Sequence, residues 1–203
     1  RGDRRMNPAE VQELFERYGA ILTGHFKLSS GRHSDTYVQC ARILEHPRVA
    51  SSLAQALSSR CTGGVDVVVS PALGGVLIGY LVAHELGCRF LFTERVDGTM
   101  SLRRGQVLAP GERFLVVEDV ITTGGSAAEV IALGENARGI SAGVASLIDR
   151  SEQQPAFHLE ALFRVAATSW DPADCSFCAR GEPLHTPGSR TLSNPATPGS
   201  SGR

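Results

Sequence analysis

The chain has 203 residues, 42% hydrophobic and 20% charged, and a net charge of −1 at neutral pH. That length and balance suit one globular domain with tails, and give no bulk electrostatic reason to expect nucleic acid or an anionic membrane surface as a partner. No apolar stretch approaches the ~20 residues a membrane helix needs, and the N-terminus lacks the apolar core of a signal peptide.

The residues ahead of Asn7 (1–6) read as an N-terminal extension, although Met6-Asn7-Pro8-Ala9-Glu10 also has the form of a natural start followed by a helix cap. A helix is expected over 8–18, with Val11, Leu14 and Phe15 at helical spacing and Gly19 as its stop. Residues 24–38 alternate like strands around a Ser30-Gly31 turn, and the Ala- and Leu-rich 47–60 segment reads as helix. After Gly63-Gly64 the pattern becomes strand 65–70, helix 75–86, strand 89–93, an arginine-rich loop, strand 114–118, helix 126–136 and strand 143–148. Near-continuous Val/Leu/Ile strands alternating with helices imply an α/β fold whose central parallel sheet is covered on both faces. Ligands of such sheets bind beyond the carboxyl ends of the strands, so the loops opening at Pro71, Arg95, Asp119 and Asp149 should face one site. The Ser, Pro, Gly and Thr residues of 193–203 have little to bury and read as a disordered tail.

Two features of composition bear on chemistry. Of 20 basic residues only Lys27 is lysine, so a phosphate clamp must rest mainly on arginine, whose planar fork holds phosphate oxygens bidentately. The five cysteines are odd in number and scattered, which fits reduced thiols in the cytoplasm better than a disulfide framework.

The most informative segment is Phe114-Leu-Val-Val-Glu118-Asp119-Val120-Ile121-Thr122-Thr123-Gly124-Gly125-Ser126. It reads as a buried strand ending in two carboxylates, then a glycine turn whose N–H groups can converge on an anion, then a helix opened by a Ser126–Glu129 capping box. The hydroxyls of Thr122, Thr123 and Ser126 add donors, and Glu118 and Asp119 suit the two hydroxyls of a ribose. A phosphate cradle beside a diol clamp describes a site for a ribose 5-phosphate. Neither G-x-x-x-x-G-K-[ST] nor a helix-opening G-x-G-x-x-G occurs.

This segment resembles the phosphoribosyl-diphosphate (PRPP) signature of the type I phosphoribosyltransferases, and Glu118–Ser126 is most similar to the orotate phosphoribosyltransferase branch. The resemblance spans 8–190 and includes Pro187-Gly188-Ser189-Arg190. It implies a phosphoribosyltransferase domain over 7–190, with a small hood from 19–45 plus the C-terminal segment and a tail from 191. It also implies transfer of a 5-phosphoribosyl group from PRPP, with Mg²⁺ carried in on the diphosphate and no protein metal ligands. PRPP would meet Arg95, Glu118 to Ser126, and the second loop Ala72-Leu73-Gly74-Gly75, where many orotate enzymes have a lysine in place of Gly74. The loop 95–105 corresponds to the family's mobile lid, which serves the other subunit of a homodimer; Arg103 and Arg104 stand in for its usual Lys and His. Orotate would meet Thr122, Arg150 of the Asp149-Arg150 pair, and Tyr37, while the family's lysine before the Ser-Gly turn is Ser29 here.

Two other base or ligand classes stay open at this stage. A purine phosphoribosyltransferase shares the signature, and a PRPP-sensing RNA-binding regulator shares the fold but wants a basic face. Cys175-Ser-Phe-Cys178 is a single C-x₂-C; with His158 and His185 as the histidines weighed, it reads as free thiols, since a closed metal site needs four ligands.

Overall fold

Asn7 and Glu10 start the first helix by a reciprocal exchange. The Glu10 N–H donates to the Asn7 side chain at 3.0 Å, and the Asn7 N–H donates to the Glu10 carboxylate at 2.9 Å. This box opens α1 (Pro8–Arg17) in the computed structural model, which describes residues 6–28, 30–61, 63–166 and 168–187. The expected extension before Met6, Ser29, the Gly188-Ser189-Arg190 match and the tail lie outside the described residues.

The remaining elements are β1 (Ile21–Lys27), β2 (His33–Val38), α2 (Ala41–Leu44), α3 (Pro47–Ser58), β3 (Val67–Pro71), α4 (Gly74–Leu86), β4 (Arg89–Val96) and β5 (Thr99–Leu102). They continue with β6 (Arg113–Ile121), α5 (Gly125–Asn136), β7 (Ile140–Asp149), β8 (Leu159–Arg164), β9 (Ser169–Trp170) and α6 (Ser176–Ala179). The described residues group into two compact units, 6–22 with 38–166 and 23–37 with 168–187.

The larger unit holds a six-stranded sheet in the order β5-β4-β3-β6-β7-β8, parallel throughout except for β5. Its apolar strands divide by alternation. Val68, Leu115 and Val117 enter one cluster with Leu53, Leu57 and Ile78 of α3 and α4. Val67, Val69, Phe114 and Val116 enter another with Ala127 and Val130 of α5. Both faces are covered, which is why these strands show no polar side in the sequence.

The arginine-rich stretch expected to hold the lid opens as a hairpin. β4 runs on to Val96, Asp97 and Gly98 turn with φ of 48° and 83°, and β5 returns antiparallel with Val96 opposite Thr99 and Thr93 opposite Leu102. Two consecutive positive φ values at Asp-Gly suit the tight turn whose twist matches a hairpin. Met100, alternating inward on β5, is 8% exposed and packs into the second cluster, so the segment has an apolar anchor.

In the smaller unit β2 pairs with β9, His33 opposite Trp170 and Ser34 opposite Ser169. The chain after α6 returns to β1, where the Lys27 N–H donates to the His185 carbonyl and the His185 N–H to the His25 carbonyl, both at 2.8 Å.

Candidate functional site

Strand order places the site. From β3 the chain steps to β4 on one side, then crosses to β6 on the other, so the direction of winding reverses between β3 and β6. Such a reversal leaves a crevice beyond the strands' carboxyl ends, where neighbouring loops diverge. Here those loops are 71–74, leading into α4, and 121–125, leading into α5. The Ala72–Leu73 peptide between β3 and α4 is cis.

The two loops meet through Gly74 and Asp119. A Cβ on Gly74 would stand 2.6 Å from Asp119 Oδ1 and 2.9 Å from Oδ2, so the acid lies against bare backbone. Gly75 repeats the device, because its Cβ would fall 2.7 Å from the Val117 carbonyl oxygen. A side chain at the position where the resembled family often has lysine would therefore have to displace the Asp119 carboxylate. Below the pair, the buried Cys40 thiol donates to the Asp119 carbonyl at 3.9 Å.

Glu118 and Asp119 are partly buried at the end of β6. Burial, reinforced by the Asp119 charge, pushes the Glu118 carboxyl up to about 7. Burial also raises Asp119, opposed by the Val120 N–H, which donates to Oδ1 at 3.0 Å. Two carboxylates held this way ionise reluctantly alone and readily beside a cation or a carbon gaining positive charge.

The turn after β6 ends at Gly124, which caps α5 with φ of 75° and no side-chain hydrogen bond. A Cβ at Gly124 would also stand 2.9 Å from the Phe157 ring, so conformation and space both require glycine there. The expected Ser126–Glu129 capping box is not formed. With Gly124 as the cap, Ser126 is already the second residue of α5, and the Glu129 carboxylate is engaged by Arg95 at 2.8 and 2.9 Å. The Gly125 N–H donates to the Thr123 hydroxyl at 3.4 Å, and with no side chain at the Gly124 cap the helix N-terminus stays open to an anion, an arrangement that suits phosphate. Thr122 and Thr123 beside it are exposed.

The remaining candidates fall as follows. Arg95 also donates to the Gly98 carbonyl at 2.6 Å, and its pair with Glu129 ties the turn end of the hairpin to α5. Arg104, with φ of 58°, reaches Glu94 at 3.0 Å, and Arg103 is exposed in the turn just past the edge strand β5. The Arg150 N–H donates to the Ile121 carbonyl at 2.8 Å, which sets Arg150 alongside the residue preceding Thr122. Asp149 accepts from the Ser151 N–H at 2.8 Å and faces Arg164 at 3.7 Å. Tyr37 belongs to the smaller unit, its ring centroid 5.7 Å from that of Phe26. Glu129, Arg164 and Phe157 support site residues; spacing in the sequence marks Glu129 only as the acid of a capping box, and the other two not at all.

The cysteine pair also lies differently from expectation. His158 pairs with Glu160 at 3.2 Å, whereas Cys175 and Cys178 converge on His25 and His33. No other group of three or more candidate metal-ligating side chains gathers among the described residues.

Comparison with known proteins agrees with this geometry. Residues 39–158 match the phosphoribosyl transferase domain. The chain is 48% identical over 190 residues to the orotate phosphoribosyltransferase of Desulforamulus reducens, covering 92% of this chain and 100% of that one. The chain belongs to the orotate phosphoribosyltransferase family. The enzyme of the same name from Pelotomaculum thermopropionicum is 47% identical over equal coverage. Among solved structures, Mycobacterium tuberculosis orotate phosphoribosyltransferase in complex with inorganic phosphate is 27% identical with a TM-score of 0.61, covering 78% of this chain and 96% of that one. The Aeropyrum pernix orotate phosphoribosyltransferase, 24% identical, matches in fold with a TM-score of 0.65, covering 76% of this chain and 93% of that one. The expected α/β architecture, a mostly parallel sheet flanked by helices, is the one observed.

Proposed function

We propose that the chain transfers the 5-phosphoribosyl group of PRPP to orotate, giving orotidine 5′-phosphate and diphosphate. The observation that carries this reading is Asp119, of the acid pair, lying against Gly74 at the sheet's switch point, with α5 opening from the left-handed Gly124 just beyond. Near-full-length relatives supply the base.

Each part of the site has a role in that reaction. N–H and hydroxyl groups of 122–126 receive the 5′-phosphate, and Glu118 and Asp119 accept from the ribose hydroxyls. As the bond to diphosphate lengthens, the anomeric carbon gains oxocarbenium character, and the two carboxylates favour that charge; the orotate nitrogen then attacks. No protein nucleophile is needed, so positioning and electrostatic stabilisation supply the catalysis. The backbone of 72–75 and Arg95 receive the diphosphate, and Arg103 or Arg104 neutralises it as it leaves. Arg150 pairs with the orotate carboxylate, and Thr122 meets the ring edge.

The donor set fits Mg²⁺ entering with PRPP. The ion would be held by the diphosphate and ribose oxygens of PRPP, leaving Glu118 and Asp119 to the ribose hydroxyls, and few protein ligands suit an ion that keeps much of its water. When bound, it neutralises diphosphate charge.

A homodimer in the cytoplasm with shared sites completes the reading. α4 leaves Leu73, Leu77 and Tyr80 on one face at 87%, 59% and 62% exposure, an apolar stripe one turn apart that a second copy would cover. No described helix is long and apolar enough to span a membrane, and a net charge of −1 argues against nucleic acid as a partner.

The test is orotate consumption with PRPP and Mg²⁺, run beside adenine, hypoxanthine and uracil. Orotate-dependent release of diphosphate with little turnover of the others is expected. Preference for a purine would move the chain to that branch, and no turnover of any base would remove the enzymatic reading.

A further inference from the structure

The smaller unit has an unusual interior. Its buried residues, among those described, are His25, Phe26, His33, Ser34 and Cys175. Three of these five are imidazole or thiol. A segment with so little apolar surface to hide lacks the usual means of holding its strands together, and small folds of this kind often rely on a metal.

The donors converge on one point. His25 Nε2 lies 3.0 Å from His33 Nδ1, 3.4 Å from Cys175 Sγ and 3.6 Å from Cys178 Sγ, and Cys178 Sγ lies 3.3 Å from His33 Nδ1. All four donor atoms fall within 4.8 Å of one another. Around a tetrahedral zinc with bonds of about 2.0–2.3 Å, neighbouring ligand atoms stand about 3.3–3.8 Å apart. The set therefore has nearly the size of a zinc tetrahedron before any ion enters.

A second observation concerns orientation. The other ring nitrogen of His25, Nδ1, lies 3.0 Å from the Glu182 carbonyl oxygen, an acceptor that calls for N–H at Nδ1 and leaves the Nε2 lone pair aimed at the cluster. Holding a ligating imidazole by its far nitrogen is the usual supporting arrangement at metal sites. Phe177, between the two cysteines, stacks on the His25 ring at 5.4 Å and 20° and limits its rotation.

We propose that His25, His33, Cys175 and Cys178 bind one structural zinc ion that joins β1, β2 and the α6 segment. Binding forms two Zn–N and two Zn–S bonds and releases the two thiol protons, with both imidazoles neutral. A [2Fe–2S] centre with two cysteines and two histidines sets the cysteines on one iron and the histidines on the other. Here thiol and imidazole interleave around a single point, which favours one ion. The exposed Cys178 offers the route of entry.

The experiment uses the full chain, purified reduced after growth with added zinc. Elemental analysis should find one zinc per chain, and Cys175→Ser/Cys178→Ser should lose it while Cys61→Ser/Cys88→Ser keeps it. The chelator-stripped wild-type protein should take up one Co²⁺ with a sulfur-to-cobalt charge-transfer band and the intense visible bands of tetrahedral cobalt. That titration decides the matter even if the cysteine variant fails to fold. A weak octahedral cobalt spectrum, zinc far below one per chain, or full zinc in folded Cys175→Ser/Cys178→Ser would each overturn the proposal in favour of a metal-free hydrogen-bonded cluster.

Discussion

Gly74 and Asp119 touch through bare backbone, with the space for a Gly74 Cβ already filled by the Asp119 carboxylate at 2.6 Å. Gly74→Ala must therefore move the acid, although alanine suits the first turn of a helix better than glycine by up to about 1 kcal/mol. Stability and catalysis should separate. Thermal unfolding should stay near wild type, while kcat/KM for PRPP falls on the order of tenfold, about 1.4 kcal/mol. Asp119→Asn should lose on the order of 100-fold, about 2.7 kcal/mol, for the same reason carried further. Near-normal kinetics in a folded Gly74→Ala protein would show that the position of Asp119 is not critical.

Glu118 gives a pH signature. Its carboxyl is raised to about 7 by burial and by Asp119, from an ordinary value of 4.5. The ionised form accepts from the ribose and favours the cationic carbon, so kcat/KM for PRPP should climb through an inflection near 7. The stability effect has the opposite sign. A raised carboxyl pKa means the neutral form is better accommodated in the fold, so its stabilising contribution is full below the unfolded value and lost as pH rises through about 7. Glu118→Gln should unfold at a higher temperature than wild type at pH 8, with the gap closing towards pH 5, and should lack the inflection. A pH-independent gap would mean that Glu118 does not titrate in this range.

The parts of this site that were legible in the sequence are local. The strand, acid pair and glycine turn of 114–126 fall within 13 consecutive residues, where alternation and turn chemistry act directly. What escaped depends on distance or on competing local signals. Cys175 meets His25 across 150 residues, and nothing in C-x₂-C names its histidines. The residues of 95–105 by themselves read as a solvated hairpin and by resemblance as a mobile lid; what their sequence does not show is Met100 as an apolar anchor for the hairpin. Leu159–Arg164 went unread as a strand because a six-residue run of mixed character fits helix or strand equally. Ser126–Glu129 has capping-box spacing, but the left-handed Gly124 takes the cap two residues earlier.

Arg150 and Arg164 should divide by function. Asp149 engages Arg164 and Ser151, while the main chain of Arg150 is tied to Ile121 beside the phosphate loop. Arg150→Ala should raise KM for orotate on the order of tenfold or more, as expected for loss of one charge-assisted pair, with KM for PRPP changed far less. Arg164→Ala, half-exposed at its ion pair, should leave both near wild type. If PRPP binding suffers instead in Arg150→Ala, that arginine serves the phosphate side and the base assignment loses its cation.

Sharing of sites between subunits can be read by complementation. Arg103 and Arg104 follow the edge strand β5, at the open side of the sheet where a partner's residues could be met, and Arg104 is held there by Glu94 at 3.0 Å. If they act on the partner's diphosphate, Asp119→Asn and Arg103→Ala/Arg104→Ala inactivate complementary halves of one site. A mixed dimer then contains one site with both defects and one intact site. After random exchange of equal amounts about half the dimers are mixed, so activity should recover to roughly a quarter of wild type per total site. Subunit exchange is verified separately with two affinity tags. No recovery in verified mixed dimers would mean that each hairpin serves its own subunit, and a monomeric chain at assay concentration would remove the sharing altogether.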